Sequence, residues 1–167
     1  MNLQFYIEKL NASDVFKEFM KENPPAFLCS GFFVIDKQIN NNQIHFDFYI
    51  PEKNQMFSFK MESEIGKVPV ETIIEIPEKI SENCDFDFDD IEKLIAREMT
   101  NKGVNNRVQR ILLSLQNKNG KDFLVGSIFV SAMAMIKINI SIPEMKIISF
   151  EKKSFFDMIR IVKNKDG

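Results

Sequence analysis

Residues 26–50, AFLCSGFFVIDKQINNNQIHFDFYI, decide the fold class. Two runs rich in aromatic and β-branched residues flank Asn40, Asn41 and Asn42, the pattern of two antiparallel strands joined by a turn. In the second run Ile44, Phe46, Phe48 and Ile50 alternate with His45, Asp47 and Tyr49. A period of two puts each set on its own side of a strand, so the apolar set is expected in the core and the other against water.

Towards the C-terminus, Pro51 to Asn54 reads as a turn and QMFSFKM (55–61) as a third strand that aligns Phe57, Phe59 and Met61. VETIIEI (70–76), ending at Pro77, is the expected fourth strand. Towards the N-terminus the period changes: Val15, Phe16, Phe19 and Met20 recur at the spacing of a helix turn. Ser13 or Asp14 caps its start and Pro24 with Pro25 ends it. Leu3, Ile7 and Leu10 mark a shorter helix before it, broken at Asn11.

The second half repeats this order. DDIEKLIAREMTNKG (89–103) carries a helical stripe at Ile91, Leu94, Ile95 and Met99, with Asp89 and Glu92 fitting a capping box and Gly103 a stop. Four candidate strands follow, RVQRILLSLQ (107–116), KDFLVGSIFVSA (121–132), MIKINISI (135–142) and MKIISFE (145–151). SFFDMIRIVKN (154–164), with Phe155, Met158, Ile159 and Val162, reads as a closing helix. The expectation is an α+β fold, antiparallel sheet packed by helices, in a single domain over 1–167. Because IEKL at 7–10 recurs at 91–94, pseudo-repeats over 1–80 and 85–153 are one reading of the order. A helix followed by four antiparallel strands, present twice, resembles the cystatin-like and PepSY-type modules, and small acidic secretion-type chaperones are a similar mixture. These resemblances imply capture of another polypeptide and assign no residue.

Composition narrows the function. Seventeen Phe and nine Met stand beside two Tyr and no Trp, so the core is apolar to its ring edges. Twenty-two basic and 24 acidic residues give a formal charge of -2, which offers no field to gather phosphates, and nucleic acid is not an expected partner. The longest apolar run, Ile128 to Ile136, is interrupted by Ser131 and falls short of the ~20 residues of a membrane helix. Gln4, Glu8 and Lys9 break up the N-terminal stretch where an export signal needs an apolar core. Cys29 and Cys84 are isolated and read as reduced thiols, and a cytoplasmic protein with no membrane association is expected.

Candidate chemistry is sparse. His45, the single histidine, shares a strand face with Asp47, which suits an imidazole oriented for base catalysis, and Cys29 in the neighbouring strand is the nearest candidate nucleophile. The plainer reading is a half-exposed histidine and a cysteine packed beside Phe27 and Phe32. The run CDFDFDD (84–90) brings Asp85, Asp87 and Asp89 together as the best candidate metal ligands. Aspartates ahead of a helix are also favoured by its free amides, and the spacing lacks the glycine and final glutamate of a calcium loop. Isolated glycines make no phosphate-binding loop, and two distant cysteines with one histidine make no zinc set. No cofactor is expected.

What remains is surface. SIFVSAMAM (127–135) is apolar on nearly every residue, so part of it must meet another element or another molecule. The leading expectation is a non-enzymatic binding module that captures a peptide or protein, a second copy included, through a sheet edge or apolar concave face, with Phe129, Met133 and Met135 at the contact. The alternatives are a small hydrolase using His45 and Asp47 and a carrier of an apolar ligand.

Overall fold

Every strand read above except one lies in a single eight-stranded antiparallel sheet, ordered β4-β3-β2-β1-β5-β6-β7-β8. In this computed structural model, which describes residues 1–157 together with 159 and 163, the strands are β1 Phe27–Asp36, β2 Gln43–Ile50, β3 Gln55–Lys60, β4 Gly66–Pro69, β5 Val108–Lys118, β6 Lys121–Val130, β7 Ala134–Ser141 and β8 Lys146–Ser154. Helices α1 (Leu3–Asn11) and α2 (Asp14–Glu22) precede the first four strands and α3 (Phe88–Asn101) the second four. The chain is therefore α+β, helices then four strands, twice. The halves meet where β1 pairs antiparallel with β5, from Gly31 opposite Leu115 to Asp36 opposite Arg110.

One face of the sheet carries all three helices. Phe33, Phe46, Phe48, Phe59, Leu113, Leu124 and Ile138 are buried there with Phe16 and Phe19 of α2 and Ile91, Ile95 and Met99 of α3. The rings meet edge to face: the Phe16 centroid lies 4.8 Å from Phe48, Phe19 lies 5.1 Å from Phe59, and Phe33 lies 5.0 Å from Phe88. Such rings satisfy one another without a polar partner, which suits a core of phenylalanine without tryptophan. The helix ends follow their capping residues. Asn2 and Ser13 accept from the amides of Phe5 and Phe16. At the end of α3, Gly103 at φ 69° lets its amide reach Thr100 O and the Val104 amide reach Met99 O. That pair of bonds is a Schellman closure.

Two sequence expectations shift. The cap of α3 is Asp87, whose Oδ1 accepts from the Asp89 amide at 2.8 Å, in place of Asp89 with Glu92. The helix starts earlier because Phe88 is drawn into the aromatic cluster with Phe33, Phe86 and Tyr6. The fourth strand is Gly66–Pro69, and VETIIEI leaves the sheet after the Val70 amide donates to Met56 O. β3 begins at Gln55, so an antiparallel partner has nothing left to pair with beyond that bond. Residues 71–87 instead rope across the strand ends: the Ile80 amide reaches Leu28 O, the Ser81 amide reaches Asp122 Oδ1, and Glu78 Oε2 accepts the Asn119 amide. Ile74 and Ile76 stay 91% and 76% exposed along it. Of the closing helix, residues 155–157 are helical, and Met158 and Val162 lie outside the described residues.

Candidate functional site

The face of the sheet opposite the helices is partly exposed at its centre, where Phe32 and Val125 lie, and buried at Asp36 and Met135 towards one end; its side chains follow from register. One row across β3, β2, β1, β5, β6 and β7 reads Lys60, His45, Phe32, Ser114, Val125 and Asn139. The next row sets Val34 beside Leu112, Ser127 and Lys137, and a third sets Asp36 beside Arg110, Phe129 and Met135. Apolar and small polar residues thus alternate across the centre. Phe32 and Val125 remain 36% and 40% exposed, and Asn139 Oδ1 is a buried acceptor without a partner.

At the other end of this face Ser30, Ser114, Gln116 and Phe123 floor a cleft of about 490 Å³ walled by Glu75 to Glu78 of the connecting segment. A second cavity, about 290 Å³, lies on the helix side between Tyr6, Phe33, Ile44 and Phe88. It is at the small end for an apolar ligand.

His45 and Asp47 do share the helix-free face. The Asp47 carboxylate is engaged elsewhere, accepting from Ser30 Oγ at 2.6 Å. Burial first, and Lys60 second, push the His45 pKa below its ordinary value against the opposing pull of Asp47 and Glu62, which keeps the imidazole neutral at pH 7. Cys29 occupies the bulge between Leu28 and Ser30, where its thiol donates to Asp47 O at 3.3 Å. Burial, then the Asp47 charge, pushes that thiol up to about 12, and burial with Asp122 does the same to Cys84. Both are free and protonated at neutral pH, the inert form for nucleophilic attack.

The acidic run is distributed over helix starts. Asp85 accepts from the Gln4 and Phe86 amides and from Asn2 Nδ2, while Asp87 caps α3. Among the described residues no three His, Cys, Asp or Glu side chains converge as a metal site. Of the expected contact residues, Phe129 and Met135 form a cross-strand pair on the helix-free face, with Met135 only 8% exposed. Met133 stands apart in the β6–β7 turn, 58% exposed at φ 52°. Phe32, Leu112 and Val125 were not singled out by sequence. Their signal is the parity of β1, β5 and β6, which becomes informative once the side taken by the helices is known.

Both edges of the sheet are guarded. β4 is four residues long and ends in Pro69, and its Lys67 ammonium lies 5.4 Å from the Phe57 ring centre. β8 is longer, but the register shift at Asn139/Ile140 leaves Ile148 as an extra residue, with Lys146, Lys152 and Lys153 along the same strand. Bulges, lysines and prolines on an edge oppose pairing with a further strand.

No family model and no curated protein matches the sequence. Among solved structures the chain is similar to a protein from Clostridium difficile 630 described as a "putative lipoprotein", with a TM-score of 0.52 and 14% identity over 84% of this chain and 91% of that one. At that identity the likeness shows the fold alone. No helix among the described residues is long and apolar enough to cross a membrane.

Proposed function

We propose that the chain is a non-enzymatic binding module that takes a protein or peptide partner on the helix-free face of its sheet. One observation carries this reading: a face with Phe32 and Val125 partly exposed at its centre has no helix over it among the described residues, while both edges carry devices against strand addition. Sheet-edge capture therefore has less support than face capture. The test is affinity capture from the native cell with three forms of the chain. A specific companion held by the wild type should be lost by Phe32→Lys and kept by Ile148→Lys, which alters the β8 edge. The reverse pattern would move the site to the edge, and equal retention by all three would remove both.

A further inference from the structure

We infer that residues 71–79, which lie between the two halves, are a site of limited proteolysis: an endopeptidase that requires a large apolar residue after the scissile bond cuts the folded chain at Ile73–Ile74, and the two pieces stay assembled. The Val70 amide donates to Met56 O and the Ile80 amide to Leu28 O, and between them no peptide group of residues 71–79 has a hydrogen-bond partner among the described residues. An endopeptidase takes its substrate as an extended strand and pairs with its peptide groups, so a run whose groups are already free enters without unfolding its surroundings. Other connections do not offer this. The β3–β4 loop covers only residues 61–65 and holds its Met61 amide on Ile44 O, while the amides of Gln38 and Ile39 after β1 are held by Asp36.

Side chains select the bond. Ile74 is 91% exposed, so it is outside the core and free to fill an apolar pocket, whereas Ile73 is half-buried. Ile76, 76% exposed, is followed by Pro77, which lacks the N–H that an extended substrate offers there. Hydrolysis adds water across the Ile73–Ile74 amide, leaving a carboxylate on Ile73 and an ammonium on Ile74. The first piece then carries α1, α2 and β1 to β4, and the second carries α3 and β5 to β8. Residues 80–87 belong to the second piece and grip the first: the Ile80 amide donates to Leu28 O, the Leu3 amide to Phe86 O and the Gln4 amide to Asp85 Oδ1. The seam from Gly31–Leu115 to Asp36–Arg110, with its ion pair, and the shared apolar core complete the contact.

Brief digestion of the purified chain with thermolysin, read by intact-mass spectrometry, tests the inference. The first cut should fall at Ile73–Ile74, and the nicked protein should run as one particle in gel filtration and as two chains under denaturing conditions. Ile74→Glu should slow cleavage of that bond by at least about 10-fold without moving the thermal melt, since the position is already exposed. Gly126→Ala, which loosens the fold by crowding Ile138 and Leu113, should leave the cutting rate within about two-fold, because the site is open in the native state. A first cut at any other bond, a cutting rate that rises beyond that limit with Gly126→Ala, or pieces that part on nicking overturns the inference.

Discussion

Asp36 is 3% exposed and each of its oxygens has work: Oδ1 accepts the amides of Gln38 and Ile39, and Oδ2 accepts Nε and Nη2 of Arg110. The Ile39 amide above all, then Arg110 and the Gln38 amide, hold its pKa below the usual carboxylate value. A depressed carboxylate contributes stability that is fully present above about pH 4 and is lost as pH falls through the folded value. Asp36→Asn should therefore flatten the acid limb of a plot of melting temperature against pH. His45 adds to the same slope higher up. Its folded pKa is lowered, so the unfolded chain binds more protons below about pH 6.5 and acidification through that range costs stability. His45→Gln should remove that part of the dependence, checked by melts between pH 5 and pH 8. The two methionines in and beside the β6–β7 turn separate cleanly. Met135→Lys places a charge at a site 8% exposed and should cost about 3 kcal/mol or more, whereas Met133→Lys, 58% exposed, should stay within about 0.5 kcal/mol in urea titrations. Gly126 is required by close approach, since an added Cβ would lie 2.8 Å from Ile138 and 2.9 Å from Leu113. Gly126→Ala should cost about 1–3 kcal/mol.

Among the elements, those with a periodic stripe and a terminator were legible from residues alone. Val15, Phe16, Phe19 and Met20 between Ser13 and Pro24 specify α2, and the alternation from Ile44 to Ile50 specifies β2. VETIIEI was misread because β propensity describes side chains that fit a pleated surface, and β3, which begins at Gln55, has no residues left to pair with them. The start of α3 was displaced for a similar reason, the pull of a distant aromatic cluster on Phe88. For the candidate site the limit is parity. A strand shows that it has two faces, but which one the helices take is a tertiary fact, so Phe32 and Val125 carried no mark while the dense SIFVSAMAM run drew attention to Phe129, Met133 and Met135. The helix ends provide a test at this scale. Gly103→Ala should cost about 1–2 kcal/mol, because a side chain at φ 69° meets the following carbonyl, and Ser13→Ala should cost about 0.5–2 kcal/mol through the unpaired Phe16 amide. Helicity lost locally would appear as faster amide exchange at Lys102 to Val104 in the first variant and at Phe16 in the second.

For the molecule as a whole, the strand order is one half read backwards and the other read forwards, so seven strand pairings are divided between hairpin neighbours and a single seam. Six of the seven join consecutive strands. Among the strand pairings, the seam alone joins residues as far apart as Ile35 and Ile111. Closing so long a loop costs roughly 1.5–2 kcal/mol more chain entropy than closing a hairpin, and the seam contacts are expected to form after the barrier. Each half is thus expected to organise before the two zip together. Ile35→Val should then accelerate unfolding and leave the refolding rate nearly unchanged in stopped-flow chevrons, whereas Phe46→Leu, inside the first meander, should slow refolding. Until the seam forms, β1 and β5 each present a naked ladder of peptide groups between Gly31 and Asp36 and between Arg110 and Leu115, with none of the proline, lysine or bulge that protects the outer strands. A ribosome that has released only the first half leaves the unshielded flank of β1 waiting for residues not yet synthesised, and that interval is when the chain is most exposed to exchange of halves between neighbouring nascent molecules.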